Sequence, residues 1–244
     1  MKLYLFFGAF LFTLSGFAQE DTAWKEPSKE SQAYHKYRQH LTYPPYSFDK
    51  INQLVRKQVV TDSEDNLVMK DKAYEALSPR EKFTYIMIHG ESYSQNCDAM
   101  PPIQDEQTKI FGYLPDVFNE FTWSDRQKKF LTVNRDSVMA WMQECASKIN
   151  RIGVNFKTAL DHINGKEMIP YIIKTYQIKH RDNDLLTLLM LLMKDNNYAP
   201  FISSATYKKL YGDNSNYQDF IVANKANRDL ILKRAMDFYN EHKK

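Results

Sequence analysis

The stretch Asp184–Lys194, reading DLLTLLMLLMK, constrains the fold more than any other part of this chain. Nearly every position in it is apolar. A helix that is apolar all round has no face to give to water, so it belongs in the middle of a packed domain. The run Leu185–Met193 is far shorter than the roughly 20 apolar residues that a bilayer-crossing helix needs. Its only β-branched residue is Thr187, which favours a helix over a buried strand. Asp182 is placed to cap its start. Lys194 suits the dipole of its last turn, and Asn196-Asn197 and Pro200 stop it.

One-sided helices that can wrap this run are spread along the chain. Ser47 is expected to cap a helix over 48–60, with Phe48, Ile51, Val55 and Val59 on one face. A short helix is expected over 70–77. Ser78-Pro79-Arg80-Glu81 is a capping box with proline at the first helical position, and Gly90 is expected to end the helix it opens. Ser124–Gln127 is a second capping box, and a short helix is expected around 116–121. Asp136 is expected to cap a helix over 137–149, closed by Gly153, whose buried stripe is Val138, Trp141, Met142, Cys145 and Ile149. Further helices are expected over 155–163, 168–178 and 203–211, and through the C-terminal 217–244. No alternation long enough for a strand that builds a large sheet is present. The reading is all-α: a single domain of about eight to ten helices packed around the central helix 185–193. The pair 168–178 and 184–194 resembles one unit of the helical-repeat proteins.

The chain opens with Met1-Lys2, an apolar run over 3–14, and Gly16 and Ala18 at the −3 and −1 positions of a cleavage site. That pattern is expected to be a secretory signal peptide over 1–18. A polar N-terminal segment over 19–46, with a short helix expected over 30–41 that puts Tyr34, Tyr37 and Leu41 on one side, then leads into the helical domain over 47–244. Removing 18 of the 244 residues leaves 226, enough for one sizeable core. No later run is long enough to anchor the mature chain in a membrane, so the expectation is an exported periplasmic or extracellular protein of a bacterial envelope or secretome. The formal charge of +3 drops to +2 without Lys2, and the basic residues are scattered, so nucleic acid is not an expected partner. Seven glycines argue against barrels and phosphate-binding loops, and no cofactor motif is present.

Cys97 and Cys145 are the two cysteines, and an exported chain is expected to pair them. A bridge over that span would contribute about 4 kcal/mol in the chain-entropy treatment.

The residues with most chemical promise are His89-Gly90-Glu91-Ser92-Tyr93, with Asp98 close behind. A carboxylate just past an apolar helix can be partly desolvated, which raises its pKa and suits a general acid. In this respect Ile88–Tyr93 resembles the Glu-Ser element of lysozyme-like transglycosylases. The resemblance implies a cell-wall glycan hydrolase with Glu91 as the acid. His89, Tyr93 and Asp98 are the candidate binding residues. His162 and His180 match no metal-ligand spacing, and no metal is expected. With no further catalytic signature, the first expectation is a non-enzymatic module that binds a protein or another envelope component.

Overall fold

The computed structural model describes residues 26–95 and 100–243. The expected signal peptide, Cys97 and Asp98 lie outside the described residues. In chain order the elements begin with α1 (Lys29–Arg38), α2 (Phe48–Gln58), β1 (Val59–Thr61), β2 (Leu67–Met69), α3 (Asp71–Glu75) and α4 (Pro79–Ile88). There follow β3 (Ser92–Tyr93), β4 (Lys109–Phe111), β5 (Phe121–Thr122), α5 (Asp125–Val133), α6 (Arg135–Ile149) and α7 (Val154–His162). The last elements are α8 (Ile169–Lys179), α9 (Asn183–Asp195), α10 (Ala199–Ile202), α11 (Ala205–Tyr211), β6 (Phe220–Val222) and α12 (Lys225–His242). The strands form three antiparallel two-stranded ladders, β1–β2, β3–β5 and β4–β6. The architecture is all-α, as the apolar patterning implies.

Helix α9 is the centre of the domain. Every residue from Asn183 to Met193 is buried, and α7, α8, α10, α12 and β4 pack around it. Each of its fully buried Leu and Met side chains contributes about 1.5–3 kcal/mol by leaving water. Its polar residues register it against the segment before it. Asn183 Nδ2 donates to the carbonyls of Gln107 and Lys109 at 3.0 and 2.9 Å, and Thr187 Oγ1 donates to Phe111 O at 2.8 Å.

Both capping boxes form, at Ser78–Glu81 and Ser124–Gln127. Several expected ends differ. Gly90 does not stop α4 through a left-handed turn; a Cβ there would lie 2.7 Å from the ring of Phe118 and 2.9 Å from Thr122 O, so the position needs glycine for close approach. Asn134 rather than Asp136 precedes the long helix α6, which ends at Asn150 with φ 48°. That leaves Ile149 exposed rather than on the buried stripe. Gly153 opens α7 instead of closing α6. The 116–121 segment is a turn leading into β5, and the C-terminal region is a strand followed by one unbroken helix. These short strands escape the sequence pattern because two or three residues are too few to show a period of two.

The helix expected over 30–41 forms as α1 and packs into the domain. Tyr34 and Arg38 of α1 are buried. The chain then docks on the start of α7, where Asn155 Oδ1 accepts from Thr42 N and its Nδ2 donates to Thr42 O and Met87 O, all within 2.9 Å. Among the described residues no helix is long and apolar enough to cross a membrane.

The expected Cys97–Cys145 disulfide is not supported. Cys145 is a buried free thiol on the inner face of α6, beside Val138 and Met142.

Candidate functional site

The residues expected to carry chemistry hold the fold together instead. Glu91 is wholly buried. Its carboxylate accepts from Arg126 Nε and Ser124 Oγ at 2.8 and 2.6 Å on one oxygen. The other oxygen accepts from Tyr85 OH at 2.6 Å, from Arg126 Nη2 and from Met69 N. Burial works against its ionisation, but Arg126, Ser124 and Tyr85 outweigh burial and hold the carboxyl below its ordinary range. This is the opposite of a general acid poised to give up a proton near neutrality. Arg126 also donates to Met69 O and Asp71, so the pair ties β2, the end of α4 and the start of α5 into one joint.

His89 is equally committed. Its Nε2 lies 2.7 Å from Leu67 O, and burial lowers its pKa. Tyr93 is half exposed on β3, its ring edge-on to Phe121. The structure therefore brings His89 and Glu91 into one structural joint and leaves Tyr93 outside it, exposed on β3. Among the described residues no group of three or more His, Cys, Asp or Glu side chains is arranged to hold a metal ion.

A second buried network fixes the start of α9. Arg38 Nε bonds Asp184 at 3.0 Å and its Nη1 bonds Glu106 at 2.7 Å, while Lys157 Nζ bonds Asp182 at 2.6 Å. Asp182 occupies the expected cap position, yet its carboxylate serves Lys157 rather than the helix N–H groups. His35 Nδ1 lies 2.9 Å from Glu106. Burial opposes ionisation of Glu106, but His35 and Arg38 hold it ionised. With every charge partnered, this network is a structural device.

An open cleft lies at the other end of α9. It encloses about 490 Å³ between α7, the last turn of α9 and the segment 113–123. Its floor carries Thr158 and Asp161, three apart on α7 and so on one face. Its walls include Tyr113, Phe118 and Phe121, with Lys194 and Asp195 closing one side. The aromatic wall is held from behind: Trp123 Nε1 donates to Ile86 O at 2.7 Å, Phe118 packs edge-on to Trp123, and Tyr211 OH donates to Gly112 O at 2.8 Å. The close approach at Gly90 is what admits the Phe118 ring.

Among the described residues, two buried polar atoms in this cleft, Thr158 Oγ1 and Asp161 Oδ1, have no hydrogen-bond partner. Buried polar atoms are nearly always paired, so an orphaned pair in one cleft points to a missing partner. Burial pushes the Asp161 carboxyl up to about 6, and the charge of Asp195 adds to the rise while Lys194 opposes it. Lys194 Nζ pairs with Asp195 at 3.0 Å. A cleft with convergent polar groups, a perturbed carboxyl and aromatic walls is the arrangement that ligand sites share. The sequence reading missed all four polar residues, since Thr158 and Asp161 look like ordinary helix positions and only folding brings them beside 194–195. A comparison with protein-family models, with characterised proteins and with solved structures finds no match.

Proposed function

We propose that this protein is an exported, non-enzymatic binding module whose cleft over α7 holds a hydroxyl-rich ligand of the envelope, a saccharide. The observation that carries the reading is the pair of orphaned buried atoms, Thr158 Oγ1 and Asp161 Oδ1, in a cleft walled by Tyr113, Phe118 and Phe121. A sugar supplies what each part lacks. Its hydroxyls donate to the carboxylate and pair with the threonine, and its C–H face covers an aromatic ring. Export rests on the n-region, apolar run and Gly16/Ala18 site of residues 1–18.

The test is titration of the mature protein with soluble cell-wall glycan fragments, followed by Trp123 fluorescence. Saturable binding that Asp161→Asn weakens by about tenfold supports the reading, in line with the cost of a charged hydrogen bond. A full set of envelope saccharides that leaves the spectrum unchanged removes it.

One observation favours a second reading in this same cleft. A carboxyl raised to about 6 next to another carboxylate is the pairing that glycoside hydrolases use. On that reading Asp161, rather than Glu91, is the acid. Release of reducing ends from cell-wall glycan, abolished in Asp161→Asn, separates hydrolysis from binding alone.

A further inference from the structure

A second open cleft, of about 500 Å³, lies at the opposite end of α9, between the α8–α9 turn, α1 and the start of α12. The eleven or so residues between the two sites place them about 17 Å apart along the helix axis. This cleft is basic. Arg181 follows His180, which the backbone holds at φ 47°, and Arg228 projects from the first turns of α12. The Arg181 guanidinium lies 5.1 Å from the Tyr37 ring centroid, so an aromatic face orients it without using its N–H groups. Arg228 uses Nε on the Asn224 carbonyl at 3.3 Å and also lies against the Tyr176 hydroxyl, which leaves further N–H donors on its guanidinium. Among the described residues neither arginine is within ion-pair distance of a carboxylate, whereas Arg38, Arg126 and Arg135 all are. His180 stands edge-on to Tyr176 at 5.5 Å and lines the same cleft. Asn183, also in the lining, is already committed to Gln107 and Lys109 and offers no donor. Glu30 is the one carboxylate in the lining, against two guanidinium groups.

We infer that this cleft is an oxyanion site, in which Arg181 and Arg228 grip a phosphoryl or carboxylate group of a ligand and Glu30 limits its affinity. Planar guanidinium forks match both groups through paired N–H donors. The positive end of the α9 dipole lies on the same side. The inference does not depend on saccharide binding over α7.

The experiment is calorimetric titration of the mature protein at low salt with inorganic phosphate and, separately, with glutarate. Saturable phosphate binding that weakens by about tenfold in Arg181→Gln/Arg228→Gln supports a phosphoryl ligand. Saturation by glutarate alone, with the same loss in the double variant, supports a carboxylate ligand. Binding should also fall steadily with added salt and survive Asp161→Asn unchanged. Should the double variant fail to fold, Glu30→Gln provides the check, because removing the repelling carboxylate must tighten the anion. No saturation by either anion, equal affinity in the double variant, or no tightening in Glu30→Gln overturns the inference.

Discussion

Two carboxyl groups in this protein illustrate how surroundings, not residue type, decide what an acid does. Glu91 and Asp161 are both withdrawn from water, but Glu91 is met by a guanidinium and two hydroxyls, while one oxygen of Asp161 has no partner among the described residues. Their pH signatures therefore have opposite sign. Asp161 binds its proton more tightly in the folded state. The stability this confers is complete below the unfolded value near 4 and is lost as pH rises through about 6. A rise of about two units corresponds to about 2–3 kcal/mol. Asp161→Asn removes that loss. It is expected to raise stability by about 1–2 kcal/mol at neutral pH and by almost nothing near pH 4, read from urea melts at the two pH values. Glu91 is held below its ordinary range, so its contribution is present above the unfolded value near 4.3 and is lost as pH falls through the folded one. Glu91→Gln removes the buried counter-charge of Arg126, leaving it only the exposed Asp71, and is expected to cost about 2–4 kcal/mol, seen as a lowered urea midpoint. An unchanged midpoint would contradict the structural role assigned to this residue.

At the scale of the element, the helices divide by what stabilises them. Helix α9 is held mainly by burial, with Asn183, Thr187 and Asp184 fixing its register, and Leu189 at its centre is fully enclosed. Leu189→Ala is expected to cost about 3–5 kcal/mol, measured by the same melts, because a closely surrounded cavity cannot collapse. Helices α4 and α5 start where capping boxes place them. Gln127 of the second box does double duty, donating to His89 O at 2.8 Å while accepting from Ser124 N. The start of α7 depends on Gly153, where an added Cβ would stand 2.3 Å from Thr42 N. The clash is with backbone, so Gly153→Ala must displace the 40–42 segment and is expected to cost about 1–3 kcal/mol or more. Differential scanning calorimetry reads this as a fall in Tm.

For the whole molecule, the free Cys145 and the two polar networks mean that covalent cross-linking is not what stabilises the domain. The melting temperature of the mature protein is expected to be the same with and without a thiol reductant. A fall of several degrees on reduction would reinstate the cysteine pairing inferred from their number. Two clefts lie at opposite ends of α9: one end carries the aromatic-walled cleft with Asp161, the other the basic cleft with Arg181 and Arg228. A rigid central helix keeps the two at a fixed separation.

What the chain determined by itself is everything that depends on neighbours in sequence. The all-apolar run 185–193 announced a central helix because no orientation of it offers water a polar face. Ser78–Glu81 and Ser124–Gln127 announced helix starts because a cap bonds N–H groups two or three residues away. Cys145 was placed inward by the spacing of Val138 and Met142, as the structure bears out. Tertiary structure decided what depends on partners far along the chain. Glu91 owes its role to Arg126, 35 residues on, and Asp161 owes its raised pKa to enclosure and to Asp195. Gly90 and Gly153 read as helix stops, yet each is required by a backbone or ring that packs on it from elsewhere. Desolvation, pairing of charges and close approach act through space, and that is why the candidate site became visible only once the chain was folded.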